Sequence, residues 1–255
     1  MKQILHIFDY IVQNNPPILV PYRLMLACLY QGYKRLCKTI ISKKLFNGTK
    51  IFLYPNNRIC SGFVYANHPD QLEVAELRNL ADKNSVFLDI GANIGAYSIL
   101  LLDKVKQLYA FEAHPHTATL CKMNFLLNGV PENQVITKAV SNSNEPLYFS
   151  NLSDGDPLNT IVQKNQHAIE VPCVTLDEFI QKNHFSAETN FLLKIDVEGY
   201  EHQVLQGATH FLTHYNIKAI ILETFSSEHQ LIQRWLENLG FKMKMISKHN
   251  LLAYR

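Results

Sequence analysis

Long apolar runs are missing from this chain of 255 residues, and none approaches the roughly 20 residues that a membrane-spanning helix requires. The opening stretch, MKQILHIFDYIVQNNPP, is interrupted by His6, Asp9 and Gln13 and lacks a small-residue cleavage site, so it makes a poor secretory signal. Cysteine is scarce and scattered. Cys28, Cys37, Cys60, Cys121 and Cys173 are odd in number and form no CxxC or other zinc-like spacing, which predicts buried, reduced thiols in a cytoplasmic protein. An excess of charge of one sign is also lacking: the formal net charge is +2, far from the concentrated basic stripe of a nucleic-acid-binding domain, and no nucleic-acid partner is expected. No internal repeat is present. What remains, 47% hydrophobic and 18% charged residues, suffices to bury a full core.

Two regions differ in pattern. Residues 1–70 read as a helical extension, with apolar spacing through Leu5, Ile7, Phe8 and Ile11 and again through Leu24, Leu29, Leu36, Ile40 and Ile41. Pro16 and Pro17 must separate the two helices. The second carries Lys34, Arg35, Lys38, Lys43 and Lys44, either as a solvated basic face or as a peripheral contact with an anionic membrane. From there to the end, residues 71–255, short β-branched and aromatic runs alternate with helix-length segments. This is the signature of a mostly parallel sheet covered by helices on both faces. Strands are expected at Val86–Ile90, Leu108–Glu112, Val135–Lys138, Phe191–Asp196, Ala219–Glu223, Phe241–Ile246 and Leu251–Tyr254. The polar stretch from Ser141 to Thr175, with a turn at Asp154, Gly155, Asp156 and Pro157, reads as an active-site loop or inserted hairpin.

The segment VFLDIGANIGAYS places Asp89 near the end of an apolar strand, followed by Gly91, Asn93 and Gly95 at the start of a helix. Glycines here permit a sharp turn and a close approach that a Cβ would block. A dinucleotide loop would read GxGxxG. In Gly91-Ala92-Asn93-Ile94-Gly95-Ala96, Asn93 takes the middle glycine position, and the Asp89 carboxylate would repel a pyrophosphate but suit an ammonium group. An adenosyl amino acid therefore fits better than a dinucleotide. The next strand, in LYAFEAHP, ends on Glu112, the position from which an acid reaches ribose hydroxyls. A third segment, FLLKIDVEGYEHQVLQGA, delivers Asp196 to the sheet edge, with Glu198 and Glu201 following. Since ligands of open α/β sheets sit beyond the carboxyl ends of the strands, Asp89, Glu112, Asp196 and Glu223 should face one crevice. Glu201 reads equally as a first-turn acid complementing a helix dipole.

Together these segments resemble the FkbM-type methyltransferases, through LDIGANIG at Leu88–Gly95, FEAHP at Phe111–Pro115, LKIDVEGYE at Leu193–Glu201, VLQGA at Val204–Ala208 and ILE at Ile221–Glu223. The resemblance covers roughly residues 70–225. It implies a Rossmann-like class I methyltransferase fold, a mostly parallel seven-stranded sheet with a final antiparallel strand. It also implies S-adenosyl-L-methionine as cofactor and methyl transfer to a hydroxyl of a sugar, glycan or small natural product. Carried over by position, Asp89, Gly91, Asn93 and Gly95 would wrap the methionine part, Glu112 the ribose, and Ala139, Val140 and Ser141 the adenine.

Methyl transfer is an in-line displacement that depends on positioning, helped by a base that takes the acceptor's proton. Asp196 or Glu223 is the expected base, with Glu198 assisting, while Asp196 also suits the cofactor's ammonium group. The same carboxylates suit a divalent metal, but no dedicated cage motif is present and none is predicted. His114 and His116 read as helix-start residues, and His210 and His214 as surface residues, without an HExxH pattern. His68, Glu73 and Glu76 lie on or before a helix that forms either one wall of the site or a plain surface. A nicotinamide-dependent oxidoreductase and a non-catalytic binding module are the competing classes.

Overall fold

A computed structural model describes residues 2–150, 168–186, 188–223 and 229–255. The predicted turn at Asp154–Pro157 lies outside the described residues. The chain divides into two compact units, Met1–Gln71 and Leu72–Arg255.

In the first unit, helix α1 (Lys2–Gln13) is closed by the side chains of Asn14 and Asn15, whose amides donate to the carbonyl oxygens of Tyr10 and Ile11, each at 2.9 Å. Beyond the two prolines a short 3-10 turn leads into α2 (Val20–Leu36). The strands β1 (Ile41–Lys44) and β2 (Lys50–Leu53) then pair antiparallel, and α3 (Ile59–Tyr65) follows. This corrects the expectation that the second helix continues through Lys38, Lys43 and Lys44. The helix ends at Leu36, Lys38 turns to a φ of 51°, and Lys43 and Lys44 lie on β1. The local sequence explains the change: Thr39-Ile40-Ile41 is β-branched, and Asn47-Gly48 supplies the turn residues of a hairpin, with Gly48 at φ 85°.

In the second unit α4 (Gln71–Leu80) precedes β3 (Ser85–Ile90), α5 (Ala96–Leu101), β4 (Gln107–Phe111), α6 (Pro115–Leu127) and β5 (Val135–Ile136). Four short strands follow, β6 (Ala139–Val140), β7 (Leu147–Ser150), β8 (Ala168–Val171) and β9 (Cys173–Val174). Then come α7 (Leu176–Lys182), β10 (Asn190–Ile195), α8 (Glu201–Gln206), α9 (Thr209–His214) and β11 (Asn216–Glu223). The chain closes with α10 (His229–Asn238), β12 (Lys242–Met245) and β13 (Asn250–Tyr254). Thr175 caps α7 by accepting from the Glu178 N–H at 3.1 Å, as its T-x-x-E spacing requires.

Seven strands form one sheet in the order β12-β13-β11-β10-β3-β4-β5, and all neighbours are parallel except the two pairs made by β13. The central strands are covered on both faces, which is why β3 and β10 read as near-continuous apolar runs. Edge-to-face aromatic pairs fix part of the core, Phe191 on Phe211 with ring centroids 4.8 Å apart and Phe111 on Phe179 at 4.9 Å. Strand order reverses between β3 and β10, and a crevice at such a switch point is where open α/β sheets hold ligands. The hairpin β7–β8 pairs Leu147 with Val171 and Ser150 with Ala168. All five cysteines are free. Cys60, Cys121 and Cys173 are buried, but Cys28 and Cys37 are exposed, contrary to the expectation of burial throughout.

Candidate active site

The loop after β3 is built around two carboxylates. Asp89 is fully buried, and its Oδ2 accepts from the Ser98 N–H at 3.1 Å and the Ser98 hydroxyl at 2.7 Å. Its Oδ1 is buried without a hydrogen-bond partner. Burial pushes the Asp89 carboxyl up, opposed by the nearby Lys194 ammonium and the Ser98 donors. Glu112, just past β4, uses both oxygens: Oε2 accepts from the Asn93 N–H and Oε1 from the His114 N–H, each at 2.9 Å. Burial raises its pKa to about 7 against the pull of those two donors.

The motif residues between these acids have conformational reasons to be what they are. Asn93 sits at φ 51°, a left-handed conformation that Asn tolerates better than most residues, and from there it presents its N–H to Glu112. Gly91, at φ 74°, lies so close to the loop after β10 that a Cβ would fall 1.9 Å from the Asp196 carbonyl oxygen. A Cβ on Gly95 would fall 2.8 Å from Cys121 Sγ on α6. Both glycines therefore serve contacts within the protein, which sharpens the expectation that they clear space for a ligand.

Across the switch point, Lys194 is buried at the end of β10. Its Nζ donates to the Gly91 carbonyl oxygen at 3.0 Å, pairs with Asp196 Oδ2 at 3.0 Å and lies 5.1 Å from the centroid of the Tyr97 ring. Sequence reasoning missed this lysine. The signal was available, because a charged residue inside the apolar run FLLKI is anomalous and a buried charge needs partners. Glu223 ends β11, the strand paired with β10, within electrostatic reach of Asp196. Burial, with the negative charges of Asp196 and Glu198, pushes Glu223 up to about 8. Glu198 is exposed, at φ 53°, and its carboxyl is raised by desolvation and by Asp196 and Glu201.

Glu201 has a structural task, accepting from the N–H groups of Val197 at 3.2 Å and Gly199 at 3.1 Å and so fixing the loop that carries Asp196 and Glu198. Glu73 on α4 is buried and accepts from the Asn250 side chain at 2.8 Å, and Asn250 is the register partner of Glu223. This places one of the two α4 acids beside the end of β11. Glu76 instead pairs with Lys244 at 2.5 Å.

Gly91 and Asp196 are thus joined through Lys194, and Asn93 and Glu112 by a hydrogen bond, while Asp89 bonds to Ser98 and Gly95 packs on α6. The segment Ala139, Val140 and Ser141 is held elsewhere. The Ala139 and Ser141 N–H groups donate to the carbonyl oxygens of Pro172 and Val174, and the Ser141 carbonyl oxygen packs where a Cβ on Gly207 would come within 2.0 Å. That close approach accounts for the glycine of VLQGA. His114 is buried at the start of α6, His116 is exposed, and the exposed His210 and His214 stack at 4.0 Å. Among the described residues no group of three or more His, Cys, Asp or Glu is arranged to hold a metal ion.

The sheet order, the reversal between β3 and β10 and the antiparallel β13 define a Rossmann-like class I methyltransferase fold. The model of the methyltransferase FkbM domain matches residues 89–243, and the chain belongs to that family. A methyltransferase FkbM from Methylobacillus flagellatus KT aligns at 13% identity and a TM-score of 0.48, over 76% of this chain and 52% of that one. An rRNA methylase from Streptococcus thermophilus aligns at 13% identity and a TM-score of 0.43, over 73% and 94%. A putative methyltransferase from Streptococcus mutans, in complex with S-adenosylhomocysteine, aligns at 12% identity and a TM-score of 0.43, over 73% and 96%. No curated protein matches the chain.

Proposed function

We propose that this protein transfers a methyl group from S-adenosylmethionine to a hydroxyl oxygen of a sugar, glycan or small natural product. The observation that carries the cofactor is Asp89, a fully buried carboxylate with one oxygen satisfied by Ser98 and the other lacking a donor. An amino acid's ammonium group supplies such a donor, and a pyrophosphate does not. Glu112, locked by two backbone amides, keeps further acceptor capacity on each oxygen for ribose hydroxyls. Asp89, Gly91, Asn93, Gly95 and Glu112 would hold the cofactor, with Asp196 at its edge and Ala139, Val140 and Ser141 toward the adenine. When bound, S-adenosylmethionine supplies a methyl group activated on a sulfonium sulfur.

The chain's own residues then handle the acceptor proton. Asp196 serves as the base, fixed by the Lys194 ammonium, with the raised Glu223 carboxyl within electrostatic reach. The acceptor oxygen would take the methyl group as the sulfonium S–CH3 bond breaks and leaves a neutral thioether, the hydroxyl proton would pass to Asp196, and Glu198 would orient the acceptor. The second unit suits a neutral polyhydroxyl acceptor better than a nucleic acid: residues 72–255 hold fifteen Lys and Arg against twenty Asp and Glu. No step requires a metal.

Calorimetry with S-adenosylhomocysteine and with NADH, followed by labelled methyl transfer to matched hydroxyl and amine sugars, tests this reading. Binding of the first ligand only, with label on oxygen, is the expected result. NADH binding alone would return the oxidoreductase class, and label on nitrogen would overturn the hydroxyl acceptor.

A further inference from the structure

The net charge of +2 conceals a segregation. Residues 1–71 hold nine Lys and Arg against two Asp and no Glu, so that unit carries +7, while residues 72–255 carry −5. Some of the positive groups are committed to the unit's own fold. Arg23 is buried and donates to Asn67 Oδ1 at 2.5 Å, and Lys43 donates to the Phe63 carbonyl oxygen. Arg35, Lys38, Lys44, Lys50 and Arg58 are exposed.

Apolar side chains are exposed in the same unit. On α2, Tyr22, Met25, Leu29 and Leu36 are all solvent-facing and follow one another at steps of three, four and seven residues, which aligns them in a single stripe. Arg23, Ala27 and Tyr30 of the same helix are buried, so the stripe is not the face that packs the unit. On α1, Ile4, Phe8 and Val12 repeat every four residues and are exposed as well, while Ile11 is buried. Ile18 and Leu36 are each 86% exposed. Single exposed apolar residues are ordinary, but aligned stripes on two helices of one basic unit mark an interaction surface.

We propose that the Met1–Gln71 unit docks on an anionic lipid bilayer, with the α2 stripe entering the acyl boundary and Arg35, Lys38 and Lys44 meeting the headgroups. The combination of an apolar stripe with exposed basic residues is what an interfacial helix requires. A second copy of the chain is the poorer occupant, since its matching unit carries the same +7. RNA would meet the charge, but the stripe is mainly aliphatic rather than a platform of aromatic rings for bases. Among the described residues no helix is long and apolar enough to cross a membrane. The proposal does not rest on the methyl-transfer reading, because it is tested without cofactor or acceptor.

The experiment is co-sedimentation of the full chain with vesicles of phosphatidylcholine alone and of phosphatidylcholine with phosphatidylglycerol, at low and high salt. Binding to the mixed vesicles only, weakened by salt, is expected. Leu36→Glu, at a position too exposed to disturb the core, should reduce it at least tenfold, as should Met25→Glu. Lys38→Glu and Lys44→Glu should each cost roughly fivefold or more, the contribution of one basic residue near an anionic surface. Thermal melts confirm that each variant is folded. Equal binding to both vesicle types, no binding to either, or a dimer or RNA complex that the same variants abolish without any vesicle binding would each overturn the proposal.

Discussion

The two sides of the switch point hold their carboxylates differently. Asp89 and Glu112, at the ends of β3 and β4, are fixed by N–H and O–H donors of the chain, Ser98 for one and Asn93 and His114 for the other. Asp196 and Glu223, past the end of β10 and at the end of β11, have other surroundings: Asp196 pairs with a lysine, and Glu223 is raised by burial and by neighbouring carboxylates. Donors that cannot leave make a rigid cradle, suited to a ligand of fixed shape. A carboxyl raised to about 8 makes a site whose charge changes when a proton arrives. In the reading proposed above, the first arrangement serves cofactor binding and the second acceptor chemistry. Gly91 and Lys194 join them, one by close packing and the other by bonding to both loops.

Breaking the joint gives the largest expected effect. Gly91→Ala combines a residue at φ 74° with a Cβ placed 1.9 Å from the Asp196 carbonyl oxygen. The loss should be about 3 kcal/mol or more of folding stability, with both functions failing together. Denaturant unfolding of the variant measures it. A variant of unchanged midpoint would show that the two loops are free to separate.

The next test separates the two sides. Asp196→Asn should lower kcat by about 10² to 10⁴ at saturating cofactor, with little change in affinity for S-adenosylhomocysteine. Glu112→Gln should do the reverse. Replacing one charged acceptor of its paired amides weakens cofactor binding by about tenfold and leaves the saturated rate nearly intact. Calorimetry and turnover on both proteins form the comparison. If the two variants show the same pattern, the division of labour argued from the hydrogen bonds is wrong.

Most of the sheet was legible because its central strands are apolar on both faces and bounded by glycine and acid residues. All seven expected strands are present to within a few residues. The acids past β3, β4, β10 and β11 followed from the rule that ligands gather at carboxyl strand ends. Less legible were features that depend on neighbours distant in sequence. Gly91 and Gly95 read as ligand clearance, whereas a Cβ on them would meet Asp196 and Cys121, and no local pattern announces such partners. Glu201 is the first-turn acid of α8 that the sequence offered, and what the sequence did not show is that it also reaches back to Val197 and Gly199. The basic helix was extended too far because lysine count outweighed the Asn-Gly turn that ends the run. Whole-chain charge misled for a related reason: averaging +7 with −5 erased the asymmetry that the unit boundary exposes.

The smallest effect sharpens the comparison through pH. Glu223 is pushed up to about 8 and Glu112 to about 7, both above the ordinary glutamate value of 4.5, with burial the leading cause. A carboxyl raised in the folded state binds its proton more tightly there than in the unfolded chain. Its contribution to stability is therefore complete below about 4.5 and is lost as pH rises through 7 and 8. The ligand-free protein should melt at a lower temperature near pH 8 than near pH 5. Glu223→Gln should remove the slope between 7 and 8 and part of it below 7, and Glu112→Gln only part of the slope below 7. Turnover should move the opposite way, rising with pH as Glu223 loses its proton near 8. In Glu223→Gln that rise should vanish, because the group that titrates near 8 is gone. If the rise persists in the Gln protein, the proton lies elsewhere, and the acceptor side of the crevice works as rigidly as the cofactor side.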